Sequence, residues 1–215
     1  MTLRAVHAHS SRARGLASRP ITRSGAYTLD AGNGAGTREV LGDHLLGLID
    51  HLVEIDTLQG SALSPFPETL VDDTGGTHRV TAPDTFAASG VLRGGGLLSV
   101  SWWDRDPEPG TRIILHGTAG TAVLETAPGV SPGANQPQIA PLRLSVTTAG
   151  GERHVTEATP SSLPVSARNV VATYRRFLDD VRNGTRGSAG FSDAAHLHGL
   201  LDAGVPSRLA ALGQD

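Results

Sequence analysis

Apolar residues in the first third of the chain recur at helical spacing. Between Arg38 and Ile55, leucines are separated by three or four residues and share one face: Leu41, Leu45, Leu48 and Leu52. This spacing is typical of an amphipathic helix. Thr37 stands immediately before the segment, and we expect its hydroxyl to cap the helix.

The C-terminal part of the chain shows the same period. The segment Asn169–Arg182 places five large apolar residues on one face: Val170, Tyr174, Phe177, Leu178 and Val181. Gly184 follows as a stop signal. We expect Ser192 to cap a last helix, and Pro206 to interrupt or kink that helix near its end.

Elsewhere the period is two, which is typical of β-strands. The predicted strands are Leu3–His9, Thr57–Ser64, His78–Thr81, Thr85–Leu92, Leu97–Trp103, Arg112–His116, Thr121–Thr126, Leu142–Thr148 and Arg153–Glu157. Short glycine-containing breaks between neighbouring strands indicate antiparallel hairpins. Residues 10–26 are rich in Ser, Arg and Gly, residues 127–141 contain four prolines, and both segments are predicted to be loops.

The order of elements is strand, helix, run of strands, helices, which predicts an α+β fold. We expect one domain over residues 1–215, with residues 158–215 as its helical C-terminal part. An open-faced, mostly antiparallel sheet would carry its helices on one face, and no Rossmann domain is expected. Trp102 and Trp103 would point to opposite faces. A tryptophan on the uncovered face suits an interface, although simple burial at the sheet edge explains it equally well.

Composition excludes several kinds of chemistry. The chain has no cysteine, and all 18 basic residues are arginine. Schiff-base formation and catalysis by lysine or thiolate are therefore excluded within this chain. A formal net charge of −3 argues against nucleic acid as a partner. The absence of cysteine fits a cytoplasmic location, and the apolar segments are too interrupted by charge to indicate a membrane span.

An ordered series of segments resembles a known family. These segments are Tyr27-Thr28-Leu29-Asp30, Gly42-Asp43-His44, the hairpin Thr85–Leu92/Leu97–Trp103, Ile113–Thr121 and Phe191–His198. Together they are similar to the C-terminal domain of Gfo/Idh/MocA oxidoreductases, in the galactose-repressor-like branch. The resemblance runs from about Leu3 to Leu201 and rests on the series as a whole, since no single motif is specific.

The resemblance implies a substrate-binding domain that forms a homodimer through its open sheet face. In full-length members a Rossmann domain binds NAD or NADP and supplies a catalytic lysine. Met1 falls near the start of the second domain, so we expect a truncated chain that binds no cofactor by itself and is inactive alone. A Rossmann-domain partner could act in trans.

The resemblance also assigns His44 as the candidate catalytic residue. Family members carry an aspartate four residues before this histidine, where Val40 stands here. A neutral imidazole can accept a proton from a sugar hydroxyl as hydride leaves the carbon. We expect Tyr27, Asn33 and His44 to line a pocket for a sugar-like ligand. Local hydrogen bonding of a helix histidine explains His44 equally well.

Two alternative functions remain open at this stage. The domain could serve a regulatory or scaffold protein through association alone, or a cofactor-independent lyase or isomerase could use His44 as base. No metal site is expected: His7 and His9 share one strand face, but no third ligand lies near them in the sequence. The loop Gly32–Thr37 only superficially resembles a dinucleotide fingerprint, because its third glycine is misplaced.

Overall fold

The computed structural model describes residues 2–71, 75–131, 136–158 and 161–208. Three α-helices are present in this part of the chain: α1 (Asp43–Val53), α2 (Val165–Asn183) and α3 (Phe191–Gly204). The strands are β1 (Leu3–Ser11), β2 (Ile55–Leu63), β3 (Glu68–Val71), β4 (Gly76–Arg79), β5 (Thr85–Leu92), β6 (Leu97–Trp103), β7 (Thr111–Gly117), β8 (Gly120–Thr126), β9 (Leu142–Thr148), β10 (Arg153–Glu157) and β11 (Ser207–Arg208).

Nine strands form one sheet in the order β10-β9-β8-β7-β1-β6-β5-β2-β11, and β3 and β4 form a separate hairpin. The central strand, β1, runs parallel to β6 and antiparallel to β7. The β2–β11 pair is also parallel, whereas the other neighbours in the sheet are antiparallel. The predicted α+β class, with a mostly antiparallel open sheet, is confirmed.

Alternation along the central strands separates a covered face from an open one. Val6 and Ala8 of β1 are buried under α1 and α3, whereas His7 and His9 between them point to the opposite face. The covered face is aliphatic, apart from Phe86 and the fully buried Trp102. As predicted, Trp103 lies on the opposite face to Trp102.

The start of the first helix differs from the prediction. A turn of π-helix, Thr37–Gly42, precedes α1, and Gly36 occupies the cap position. The predicted Thr37 cap is wrong, because its hydroxyl donates instead to Asp104 Oδ2 at 3.0 Å. The backbone carbonyl of Gly36 accepts from the Val40 amide at 3.0 Å. A tertiary hydrogen bond thus replaces the local cap.

In the C-terminal helices one prediction is confirmed and two are wrong. Gly184 ends α2 in the left-handed conformation with φ 65°, as the sequence indicated. Ser192 does not cap α3, because the helix begins one residue earlier and Asp193 accepts from the Gly190 amide at 2.7 Å. That helix ends at Gly204, so Pro206 follows the helix and does not kink it.

Two loop predictions hold only in part. The predicted loop 10–26 begins within β1 and ends within a 3₁₀ segment, Arg23–Leu29. The short strand β3 was not predicted, because prolines precede it and it has only four residues. Residues 132–135 of the predicted loop 127–141 lie outside the described residues.

The helix α2 leaves its apolar face uncovered by the described residues. Its exposed apolar side chains, here called the α2 stripe, are Val170, Tyr174, Phe177, Leu178 and Val181. No side chain of α2 is buried. Among the described helices, none combines the length and apolar character needed to cross a membrane.

We expect truncation of Leu45 to destabilise the protein far more than truncation of Leu52. Leu45 is fully buried, whereas Leu52 lies two turns along the same helix and is 47% exposed. Leu45→Ala should lower the free energy of unfolding by about 2–5 kcal/mol, and Leu52→Ala by less than about 1 kcal/mol. Urea denaturation followed by circular dichroism measures both, and equal effects would contradict the packing described here.

Candidate ligand site

A cavity of about 320 Å³ opens where the chain leaves the central strand. Arg12 and Arg14 are the only charged residues among its described lining, which contains no carboxylate. The remaining lining combines hydroxyl, amide and small or aliphatic side chains: Thr22, Ser24, Gly25, Tyr27, Thr28, Ala35, Gly36, Val40, Leu41, Gln136 and Gln138. Such a surface offers several hydrogen-bonding groups and two cations to a small polar ligand.

A buried ion pair fixes one wall of this cavity. Arg12 Nε donates to Asp104 Oδ1 at 2.5 Å, and its Nη2 donates to Oδ2 at 2.9 Å. Thr37 joins the pair, because Arg12 Nη2 also donates to the Thr37 hydroxyl at 2.9 Å. The side chains of Arg12 and Asp104 are only 13% and 6% exposed. Two-point pairing of this kind holds the guanidinium in one orientation.

Arg14 is less completely neutralised. It donates to the carbonyl of Gly25 at 3.0 Å and to the hydroxyl of Thr28, which are both uncharged acceptors. Its Nη1 lies 4.0 Å from Asp104 Oδ2, beyond hydrogen-bonding distance. Burial lowers the pKa of Arg14, and the charge of Arg12 lowers it further. The guanidinium therefore sits in an environment that does not fully compensate its charge.

Tyr27 lines the cavity, and its side chain is 59% exposed. Asn33 is not part of the described lining. Its side-chain amide donates to the Tyr27 carbonyl at 2.8 Å, so it holds the turn that presents the tyrosine.

His44 lies in the first turn of α1 and is exposed. Val40, four residues earlier, lines the cavity, so His44 stands one helical turn beyond the lining. Partial desolvation lowers the pKa of His44, while the neighbouring Asp43 carboxylate raises it. The net shift is downward, which keeps the imidazole neutral near pH 7, the form that can accept a proton.

Arg12 and Arg14 were missed by the sequence interpretation, which assigned residues 10–26 to a loop of no special chemistry. Both lie in a segment that continues directly from β1 and in which arginine alternates with a small residue. Their backbones follow the extension of β6, since Arg12 accepts from the Asp106 amide and Arg14 from the Arg105 amide, each at 3.1 Å. Spacing by two after a predicted strand is the signal that could have identified them.

The remaining sequence candidates fall outside this cavity. The His7 ring contacts the His116 ring edge-on at 5.7 Å, and His9 stacks on Trp103. Among the described residues, no group of three His, Asp or Glu side chains could hold a metal ion. The glycine loop Gly32–Thr37 follows 3₁₀ turns where a dinucleotide fingerprint requires a strand.

Comparison with known proteins defines the fold. No family model and no curated protein sequence matches the chain. Among solved structures, a super-repressor mutant of Gal80p from Saccharomyces cerevisiae is 18% identical, with a TM-score of 0.76. Levoglucosan dehydrogenase in complex with NADH and L-sorbose is 13% identical, with a TM-score of 0.71. An oxidoreductase from Agrobacterium radiobacter in complex with NAD⁺, L-tartaric acid and magnesium is 18% identical, with a TM-score of 0.65.

Each of these comparisons covers 94% of this chain and only about half of the other protein: 55%, 56% and 53%, respectively. The chain therefore has the fold of the C-terminal domain of Gfo/Idh/MocA-type oxidoreductases and Gal80-type regulators. At this level of identity the likeness concerns the fold.

We expect His44 to titrate below its ordinary pKa of about 6.5. Replacing Asp43 with Asn should lower the His44 pKa further, because the carboxylate that stabilises the imidazolium is removed. Proton NMR of the imidazole C–H signals across pH 4–9 measures both shifts, and His44→Gln identifies the resonance. A midpoint at or above the ordinary value, or a rise in Asp43→Asn, would contradict the described environment.

Proposed function

We propose that the chain is the substrate-binding and dimerisation domain of an NAD(P)-dependent, sugar-type oxidoreductase. The cavity beside β1 is the observation that carries this proposal. Its hydroxyl, amide and guanidinium groups match the many donors and acceptors of a polyhydroxylated ligand. The exposed Tyr27 supplies both a ring face and a hydroxyl at the entrance.

In this proposal His44 would serve as the base. A ligand that fills the cavity and extends past Val40 would approach the His44 imidazole, which lies one turn along the helix. The neutral imidazole would accept the proton of a ligand hydroxyl, and a nicotinamide cofactor, when bound, would supply the hydride chemistry. The chain contains no lysine and no acid four residues before His44. The chemistry therefore needs groups supplied from elsewhere.

The cofactor would be held by a dinucleotide-binding domain, supplied by another chain or by a longer gene product. Two observations support this part of the proposal. The solved relatives contain a further 44–47% of chain beyond the matched region, and levoglucosan dehydrogenase is described with NADH. The α2 stripe offers an uncovered apolar surface on which such a domain could dock.

The open face of the sheet is the proposed homodimer interface. It presents exposed apolar side chains, among them Val91 and Leu97, beside small polar residues such as Ser89 and Ser99. A shallow hollow of about 590 Å³ crosses this surface next to His7. Apolar groups surrounded by small polar residues are typical of surfaces that associate.

We expect the chain to bind polyols and sugars but not the free cofactor. Isothermal calorimetry with a panel of hexoses, hexitols and hexonates should detect binding of a polyhydroxylated ligand. The same measurement with NADH or NADPH should detect no binding. Tyr27→Ala should weaken ligand affinity about tenfold, the value of one lost stacking or hydroxyl contact. Asn33→Ala, which removes a neighbour outside the lining, should weaken it less. Micromolar affinity for NADH would overturn the proposal.

A regulatory or scaffold protein is the second candidate. Gal80p is described as a transcriptional regulator in the Kluyveromyces lactis structure, which is 19% identical with a TM-score of 0.73 over 51% of its chain. Val40 stands four residues before His44, where the resemblance implies an aspartate, and this favours the alternative. In a regulator, His44→Ala would leave biological activity unchanged, whereas the oxidoreductase proposal requires its loss.

Both candidates need a dimer, which sedimentation can test. We expect the wild-type chain to sediment as a dimer and Leu97→Asp as a monomer, because a charge would be buried in the open-face interface. Leu52→Asp places the same charge at an exposed site on α1 and should leave the dimer intact.

The same experiment separates the two surfaces. Phe177→Ser in the α2 stripe should remain dimeric, as should its control Asp179→Ser, because α2 is assigned to a different partner. Dissociation by Phe177→Ser and not by Leu97→Asp would place the dimer interface on α2 instead.

A further inference from the structure

We infer that the cavity beside β1 selects a sugar acid, a polyhydroxylated chain with one carboxylate, and that Arg14 binds the carboxylate. This inference rests on the proposed sugar-binding function and narrows it to one class of ligand. It depends on the charge of the cavity wall, on the geometry of the two arginines and on an unpaired acceptor in the lining.

The charge of the wall is close to a single positive unit. Two arginines line the cavity, and no carboxylate is found among the described lining residues. Asp104 lies behind Arg12 and neutralises it through two short hydrogen bonds. Arg14 remains without a charged partner at hydrogen-bonding distance, because Asp104 is 4.0 Å away. An anionic ligand of charge −1 would complete the pairing.

The orientation of Arg14 suits this role. Its Nη2 is held by the Gly25 carbonyl and the Thr28 hydroxyl, which fix the plane of the guanidinium. The side chain is 21% exposed, so the group is held largely inside the protein yet remains reachable from the cavity. A cation held in one orientation and partly shielded from water binds a carboxylate more strongly than a mobile surface arginine does.

Another lining residue, Gln138, favours a ligand that carries hydroxyl groups. Gln138 Oε1 is shielded from solvent, and no donor among the described residues reaches it. Its Nε2 already donates to the side-chain oxygen Oε1 of Gln136 at 2.8 Å, which fixes the orientation of the amide. An unpaired buried acceptor costs about 1–3 kcal/mol. A hydroxyl donated by the ligand would satisfy it.

A carboxylate fits this site better than a phosphate does. A phosphate monoester carries close to two negative charges near pH 7, whereas the wall offers one uncompensated cation. A ligand with more than one carboxylate would likewise carry more negative charge than the one uncompensated cation of the wall can pair with. The geometry therefore favours a monocarboxylate over a phosphorylated sugar.

Calorimetry with a matched set of probes tests the inference. D-Gluconate and D-glucitol share the same six-carbon polyol and differ at the carboxylate, and D-glucitol 6-phosphate supplies the phosphate arm. We expect the wild-type chain to bind gluconate at least about tenfold more tightly than glucitol, the value of one charge-assisted contact. The phosphate should bind less tightly than gluconate.

Arg14→Gln removes the charge and keeps hydrogen-bonding groups, whereas Arg14→Lys keeps the charge. The first variant should bind gluconate and glucitol equally, and the second should retain most of the preference. Circular dichroism establishes that both variants are folded. Independently of any variant, raising the salt concentration should weaken gluconate binding to the wild type and leave glucitol binding unchanged.

The outcomes separate this inference from the proposed function. Binding of none of the three probes to the wild-type chain at millimolar concentration would overturn both. Equal binding of gluconate and glucitol by the wild type would leave a sugar-binding domain and overturn the role of Arg14. Tighter binding of the phosphate than of gluconate would overturn the choice of carboxylate, and a preference that persists in Arg14→Gln would place the anion site elsewhere.

Discussion

The buried ion pair between Arg12 and Asp104 is the interaction on which the candidate site depends. It joins the segment that follows β1 to the segment that follows β6, and it also takes up the hydroxyl of Thr37 at the start of the first helix. Three separate parts of the chain are thereby held at one end of the sheet. Removing one partner of such a pair leaves an uncompensated charge, which typically costs about 3–5 kcal/mol. The cavity wall and the start of the first helix are thus held by the same hydrogen-bonded ion pair.

The two arginines look alike in the sequence but have different roles in this arrangement. Arg12 is paired with the Asp104 carboxylate and stabilises the fold. Arg14, two residues later, lines the cavity, and the groups to which it donates hydrogen bonds are uncharged. The helix that carries His44 is anchored through Thr37 to the same pair. The position of the candidate base and the charge of the cavity are therefore coupled through one small network. A change at Asp104 would disturb both at once.

Periodicity predicted the sheet and the helices well, because burial under α1 and α3 imposes alternation on the central strands and a leucine face on α1. Tertiary competition explains the failures: Thr37 appeared to be a cap in the sequence but bonds to a carboxylate 67 residues away. Tyr27 was named from the resemblance. The spacing by two after β1 could have placed Arg12 and Arg14 on one face, but it could not distinguish their roles, because these depend on which arginine Asp104 pairs with.

The central place of β1 has a consequence for the order in which the protein can assemble. Its register joins Ala5 to Leu97 and His9 to Arg112, so both neighbours emerge from the ribosome long after β1 itself. At ordinary synthesis rates, the roughly 100 intervening residues correspond to a wait of about 5–20 s. During that time β1 has neither of its sheet neighbours, whereas α1, β2 and the β3–β4 hairpin are already synthesised and can form local structure. Three polar residues of β1, His7, His9 and Ser10, interrupt its apolar residues, so the unpaired strand is not a continuous apolar segment that would bind other nascent chains.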